Sequence, residues 1–183
     1  MDSKEHEQAL VYALQCGCNL IDTASNYSNG NSEKLIGKVL NEAGNPPVFL
    51  ITKAGYISYD NLSILQKLNE EGKGLQDVVQ VSEHLKHSIH PEYLEAQLET
   101  SLRRLNRKYL DGFLLHSPEY YFQDKSHEVN PTEYYSRIQK AFEFLEEKVK
   151  QGIIRYYGVS SNTLTVHKSE PDSTNLHELL NLA

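Results

Sequence analysis

What this sequence lacks narrows its role before any motif is considered. No apolar run is long enough to span a bilayer. The opening residues, MDSKEHEQAL, are charged and helical in character, unlike a signal peptide. A cytoplasmic protein with no membrane partner is therefore expected. Basic residues are outnumbered, 18 Lys and Arg against 25 Asp and Glu, for a formal net charge of −7. That balance argues against a nucleic-acid-binding surface. Only two cysteines are present, Cys16 and Cys18. Two residues apart, they are badly placed for an ordinary disulfide, and two thiolates cannot complete a zinc site. They are expected to be buried packing thiols. No Gly-x-Gly-x-x-Gly follows an apolar segment, which weakens a Rossmann reading, and no internal repeat is evident.

What remains is ordinary globular composition. The 183 residues are 39% hydrophobic and 23% charged, enough for one domain with a sizeable core. Helical and strand-like segments alternate along the chain. Residues 4–16 have helical character, stopped by Gly17. Asn19–Asp22 reads as a short apolar strand. Asn31 or Ser32 can cap a helix running through Glu33, Ile36, Val39 and Leu40 and closed by Gly44. Val48–Thr52 is β-branched and aromatic, and so favours a strand. Residues 57–89 carry no clear period and are expected to be the least regular part.

Pro91 sits at a plausible first helical position, and Leu94, Leu98, Leu102 and Leu105 then share a helical face. Leu110–Leu115 is the next strand. A polar and aromatic loop from Glu119 to Pro131 leads to a helix marked by Tyr135, Ile138, Phe142, Leu145 and Val149 and ended by Gly152. Ile153–Val159 is a fourth strand, and Asn175–Leu182 a last helix. Strands separated by full helices imply parallel pairing with right-handed crossovers. Four such strands form either part of an open doubly wound sheet or an arc of a (β/α)8 barrel.

Parallel strands present their C-terminal ends on one face, where α/β folds carry their sites. Here those ends deliver Asp22, Lys53, His116 and the run Ser160, Ser161, Asn162, with Tyr27 in the loop just after Asp22. Any one of these alone would be an ordinary polar strand cap. Together they read as a site. A Lys at a barrel mouth is costly to desolvate unless a carboxylate compensates it, and Asp22 on the neighbouring strand can do so. Their pairing would set positive charge beside Tyr27, which favours the phenolate and equips the phenol to give a proton to a developing alkoxide. His116 could hydrogen-bond the same oxygen. The set holds no nucleophile with a paired base and no metal cluster, and it suits proton delivery to a carbonyl while a cofactor supplies hydride.

Other signals are weaker. His84, His87 and His90 lie three apart, but the turn suggested by Ser88 to Pro91 breaks a shared face, so solvated histidines are expected and no metal. SLRRLNRK is basic at a helix end, where cations are favourable. Tyr56, Tyr120, Tyr121 and Phe122 either line a substrate pocket or pack loops.

The blocks NLIDTASNYSNGNSEKLIGKVL, FLITKAG, SLRRLNRKYLDGFLLHSPE and VKQGIIRYYGVSSN resemble, in order and spacing, the aldo-keto reductases, over about Gln8 to Ala183. The resemblance implies a TIM-type barrel and NAD(P)H-dependent reduction of an aldehyde or ketone. By motif it assigns the family's catalytic tetrad to Asp22, Tyr27, Lys53 and His116, with Tyr27 as general acid. It assigns the cofactor side to Asp22, Ser160, Ser161 and Asn162, with Ser160 and either Ser161 or Asn162 at the nicotinamide carboxamide. NADP(H) is expected over NAD(H). The four strands correspond to the second to fifth of the barrel, so residues 1–183 are expected to form one incomplete barrel domain whose open edges could self-associate. Two further readings are a regulatory protein on the same fold, like the potassium-channel β subunits, and an inactive truncated remnant.

Overall fold

The computed structural model describes residues 3–75, 77–124, 128–167, 170 and 172–182. The first helix, α1 (Ser3–Gln15), ends at a turn through Gly17 and leads into strand β1 (Leu20–Asp22). After a 3-10 turn at Tyr27–Gly30, α2 (Asn31–Glu42) returns the chain to β2 (Phe49–Ala54). Two longer helices, α4 (Pro91–Leu105) and α5 (Pro131–Lys150), alternate with β6 (Leu110–His116) and β7 (Ile154–Ser160), and α6 (Leu176–Leu182) follows. The strands pair in parallel in the order β1-β2-β6-β7, as the alternation of elements predicts. The result is an α/β arrangement with four parallel strands of an incomplete barrel.

Between β2 and β6 the chain makes an excursion that the sequence does not signal. It contains β3 (Tyr56–Ile57), α3 (Leu62–Glu70), β4 (Val79–Ser82) and β5 (Leu85–His87), with the strands forming an antiparallel sheet in the order β3-β5-β4. The segment thus holds several regular elements, contrary to the expectation. The strands are two to four residues long, too short for a period-two pattern to register. Their stability comes instead from a small separate core of Ile57, Leu65, Leu68 and Tyr93.

The main core lies between the helices and the outward face of the parallel sheet. Leu50, Phe113 and Leu115 point outward from the strands, and Leu40, Leu94, Leu98, Leu105, Ile138 and Leu145 cover them from α2, α4 and α5. Each such side chain contributes about 1.5–3 kcal/mol by leaving water. At the opposite end of the strands from the site, buried Asp111 accepts the Leu50 amide at 2.9 Å and pairs with Arg155 at 2.8 Å, tying β2, β6 and β7 together. The inward face is less covered: Leu20, Phe49 and Tyr156 are 55%, 36% and 64% exposed, and the Phe49 and Tyr156 rings stack 6.0 Å apart.

Three local expectations need correction. Cys16 and Cys18 are exposed, not buried, because the turn after α1 carries them at the surface. The cap of α2 is Gly30, in the left-handed region at φ 80°, and neither Asn31 nor Ser32 caps it. The Ser32 hydroxyl is instead 2.9 Å from that of Thr23. Of the three spaced histidines only His84 is solvated. His87 is buried in β5, and His90 caps α4, its Nδ1 accepting the Glu92 amide at 3.3 Å.

The helices α2 and α4 approach closely at Gly37. A Cβ there would lie 2.5 Å from the Arg104 carbonyl oxygen, a backbone atom that cannot swing away. Gly37→Ala is expected to destabilise the fold by about 1–3 kcal/mol through overpacking, read as a lower midpoint in urea unfolding. An unchanged midpoint would mean that this contact is not tight.

Candidate active site

The candidate site is assembled by strand register. β1 and β2 pair with Asp22 opposite Ile51, and the ladder runs on beyond β1: the Thr23 amide donates to the Ile51 carbonyl at 2.9 Å and the Ser25 amide to that of Lys53 at 3.1 Å. Lys53 and Asp22 therefore emerge side by side at the C-terminal rim. On the other side β6 pairs with β7, placing His116 opposite Ser160. Strands alternate their side chains between faces, so Asp22, Lys53 and His116 share the inward face, while Thr52 points outward beneath α2.

Lys53 is the most constrained member. Its side chain is only 5% exposed, and its ammonium donates to Asp22 and to the Thr23 carbonyl, the latter at 3.0 Å. The carboxylate of Asp22 is 46% exposed. Tyr27 follows in the 3-10 turn, where Ser28, Asn29 and Gly30 all take positive φ (47°, 56° and 80°). Asn and Gly tolerate this conformation well, which explains their presence after the tyrosine. The turn sets the Tyr27 ring 5.2 Å from the Lys53 ammonium and edge-on to His116 at 5.9 Å. The structure thus brings Asp22, Tyr27, Lys53 and His116 into one cluster.

His116 titrates far from the ordinary imidazole value of 6.5. Burial lowers it to about 4, helped by the positive charge of Lys53 and by His87, with Asp22 opposing. It is neutral at physiological pH. Its surroundings include Tyr56 and Tyr120, two of the aromatics that the sequence offered as pocket lining or loop packing, together with Ser117 and buried His87, which strand-end reasoning did not reach. The Tyr56 ring meets His116 edge-on at 4.6 Å, its hydroxyl donates to Ser117 Oγ at 3.2 Å, and Tyr120 packs on Tyr56 at 5.3 Å. Burial raises the Tyr56 phenol well above its usual range. His87 lies behind them with its Nε2 2.7 Å from the His116 carbonyl oxygen. Burial lowers His87 also to about 4, so the ring is neutral, and because a carbonyl oxygen only accepts, Nε2 is the nitrogen that carries the proton and donates. Tyr121 and Phe122 belong to loop packing, against each other and Tyr134.

At the end of β7 the three polar residues part company. Ser160 stands beside His116. The Ser161 hydroxyl is engaged within its own loop, 3.0 Å from the Thr163 hydroxyl and donating to that of Thr174 at 3.2 Å. The Asn162 amide donates to buried Glu119 at 2.9 Å, leaving its side chain at the surface. A groove of about 1030 Å³ between α3 and α4 includes none of the four clustered residues in its lining. Among the described residues no group of three or more His, Cys, Asp or Glu could hold a metal ion, and no helix is long and apolar enough to cross a membrane.

Comparison with known proteins decides the family. The model of the Aldo/keto reductase family matches residues 1–170. This chain belongs to the aldo-keto reductase family. It is 27% identical over 152 residues to the NADH-specific methylglyoxal reductase of Escherichia coli, covering 83% of this chain and 40% of that protein. To the aldo-keto reductase yakc [NADP(+)] of Schizosaccharomyces pombe it is 29% identical over 160 residues, 86% of this chain and 37% of the other. Among solved structures, the holo form of the aldo-keto reductase AKR11C1 from Bacillus halodurans superposes with a TM-score of 0.62 at 25% identity, over 88% of this chain and 43% of that one. The chain therefore spans less than half the length of these relatives.

The two buried imidazoles make stability depend on pH. Unfolded, each takes up a proton as pH falls through about 6.5; folded, each does so only near pH 4. Between those values the unfolded chain binds more protons, so stability rises with pH and is lost as pH falls. For fully buried His87 the contribution is on the order of 3 kcal/mol. Urea unfolding across pH 7 to 4 should show this decline, and His87→Gln, which keeps a donor for the His116 carbonyl, should lessen it. An identical decline in the variant would remove His87 as its source.

Proposed function

We propose that the chain carries the proton-delivering side of a carbonyl reductase site, in which an aldehyde or ketone is reduced at the rim formed by β1, β2, β6 and β7. One observation carries this reading: a buried ammonium, paired with Asp22, stands 5.2 Å from the ring of Tyr27, and that ring meets neutral His116 edge-on. In this reading Tyr27 gives its proton to the carbonyl oxygen as negative charge develops there. Lys53 supplies positive charge next to the phenol as the proton leaves, and Asp22 holds Lys53 in place. His116, neutral down to about pH 4, offers a hydrogen bond to the same oxygen and fixes its position. Tyr56 and Tyr120 form an aromatic wall that limits water around the reacting group.

The residues present fit one end of a nicotinamide cofactor, which when bound supplies the hydride. In this reading Ser160, level with His116, and exposed Asn162 supply the donor and acceptor that a carboxamide needs. Ser161, whose hydroxyl is occupied by Thr163 and Thr174, is the weaker candidate for that contact. Asp22, half-exposed beside Lys53, is the remaining candidate for a cofactor contact.

In the complete polypeptide, Tyr27→Phe is expected to lower the rate of aldehyde reduction about 10²–10⁴-fold, with the folded state intact by circular dichroism. Equal rates for wild type and variant would remove Tyr27 as the proton donor. Residues 1–183 alone carry one edge of a cofactor site, so weak or absent dinucleotide binding is expected of them. Fluorescence titration with NADPH and NADH measures it and also decides between NADP(H), the sequence-based expectation, and NAD(H). Tight binding of either would show that this stretch holds a complete cofactor site.

A further inference from the structure

A second charged cluster lies beneath the sheet, on the face away from the proposed chemistry. Glu33 of α2 has no exposed side-chain surface, and the Arg104 side chain of α4 is 9% exposed. Arg104 Nη1 is 3.3 Å from Glu33 Oε2, and the Thr52 hydroxyl donates to Glu33 Oε1 at 2.7 Å. A buried ion pair is an expensive way to fill a core, since apolar residues of similar volume often serve as well or better. Its contacts suggest what else it does.

The same Nη1 donates to the Ser25 carbonyl at 3.3 Å. The guanidinium also packs against Gly30 so closely that a Cβ there would lie 2.4 Å from Arg104 Cζ. Ser25 and Gly30 flank Tyr27, two residues before it and three after, so one planar cation touches the backbone on both sides of the proposed proton donor. The other partner of Glu33, Thr52, immediately precedes Lys53 on β2. Strand alternation turns Thr52 down into this cluster and Lys53 up into the site. The pair thus links the loop that presents Tyr27 to the strand that presents Lys53.

We propose that Arg104 and Glu33 are a positioning pair that sets the reach of Tyr27 over Lys53, acting through the backbone of residues 25–30. This rests on the proton-donor reading of Tyr27. The pair touches no reacting atom. Its effect is expected in turnover, because a displaced phenol meets the carbonyl oxygen badly in the transition state, while the space in which substrate binds is unchanged.

The test is a double-mutant cycle in the complete polypeptide. The apolar replacement Glu33→Leu/Arg104→Met should leave a folded protein whose kcat for aldehyde reduction is at least ten-fold lower with KM little changed. Adding Tyr27→Phe to it should then cost much less than in the wild type, because Tyr27 is already misplaced. Equal costs in both backgrounds would overturn the proposal. If the apolar pair does not fold, Arg104→Lys serves in its place: it keeps the charge but lacks the planar guanidinium that packs against Gly30, and the same non-additivity is expected. Hydrogen exchange of the backbone amides of residues 25–30 reads the clamp without reference to turnover. Exchange at least ten-fold faster in either variant is expected, and unchanged protection would overturn the clamp. Should Tyr27→Phe be silent in the wild type, the proton-donor reading fails by itself, and exchange still tells whether the clamp exists.

Discussion

The buried ammonium of Lys53 is the constraint on which the rest of the site depends. Taking such a charge out of water costs several kcal/mol unless it is paired and hydrogen-bonded. Asp22 and the Thr23 carbonyl satisfy it, and both come from one short strand and the residue after it. That requirement fixes the register between β1 and β2. A slip of one residue would turn the carboxylate to the other face and strand the ammonium. The three residues of β1, too few to hold a register by packing alone, are thus pinned by electrostatics as well as by their ladder.

Charge is arranged on both sides of the sheet. Above it, Lys53 and Asp22 pair at the rim where the parallel strands end. Below it, Arg104 and Glu33 lie in the core between α2 and α4 and reach the loop carrying Tyr27. The two pairs meet through adjacent residues of β2, Thr52 and Lys53. A loop tyrosine is normally among the less precisely held groups of a protein. Here its backbone is tied on both sides, to a strand and to a buried cation.

His116 is governed by a different part of the chain. The excursion between β2 and β6 brings Tyr56 and His87 against it, and Tyr120 closes the cluster from the following loop. Burial by these rings keeps the imidazole uncharged, and Lys53 reinforces the effect. The side of the cluster that stays uncharged near neutrality is thus built largely by the segment with the least regular sequence.

Periodicity and punctuation alone marked the four parallel strands, the helices between them, and the delivery of Asp22, Lys53, His116 and Ser160 to one rim. Those features follow from local rules: apolar runs of strand length, leucines at helical spacing, and glycines or prolines at element ends. The blocks around these residues also pointed to the family that comparison then established. Only the tertiary structure decided the rest. The short strands β3, β4 and β5 carry too few residues for a pattern. Cys16 and Cys18 looked apolar enough to be buried, yet the turn that carries them is at the surface. The burial of Glu33 and Arg104 depends on which face of α2 meets which face of α4. That choice is made by packing between segments some seventy residues apart, and no local pattern in either segment encodes the other.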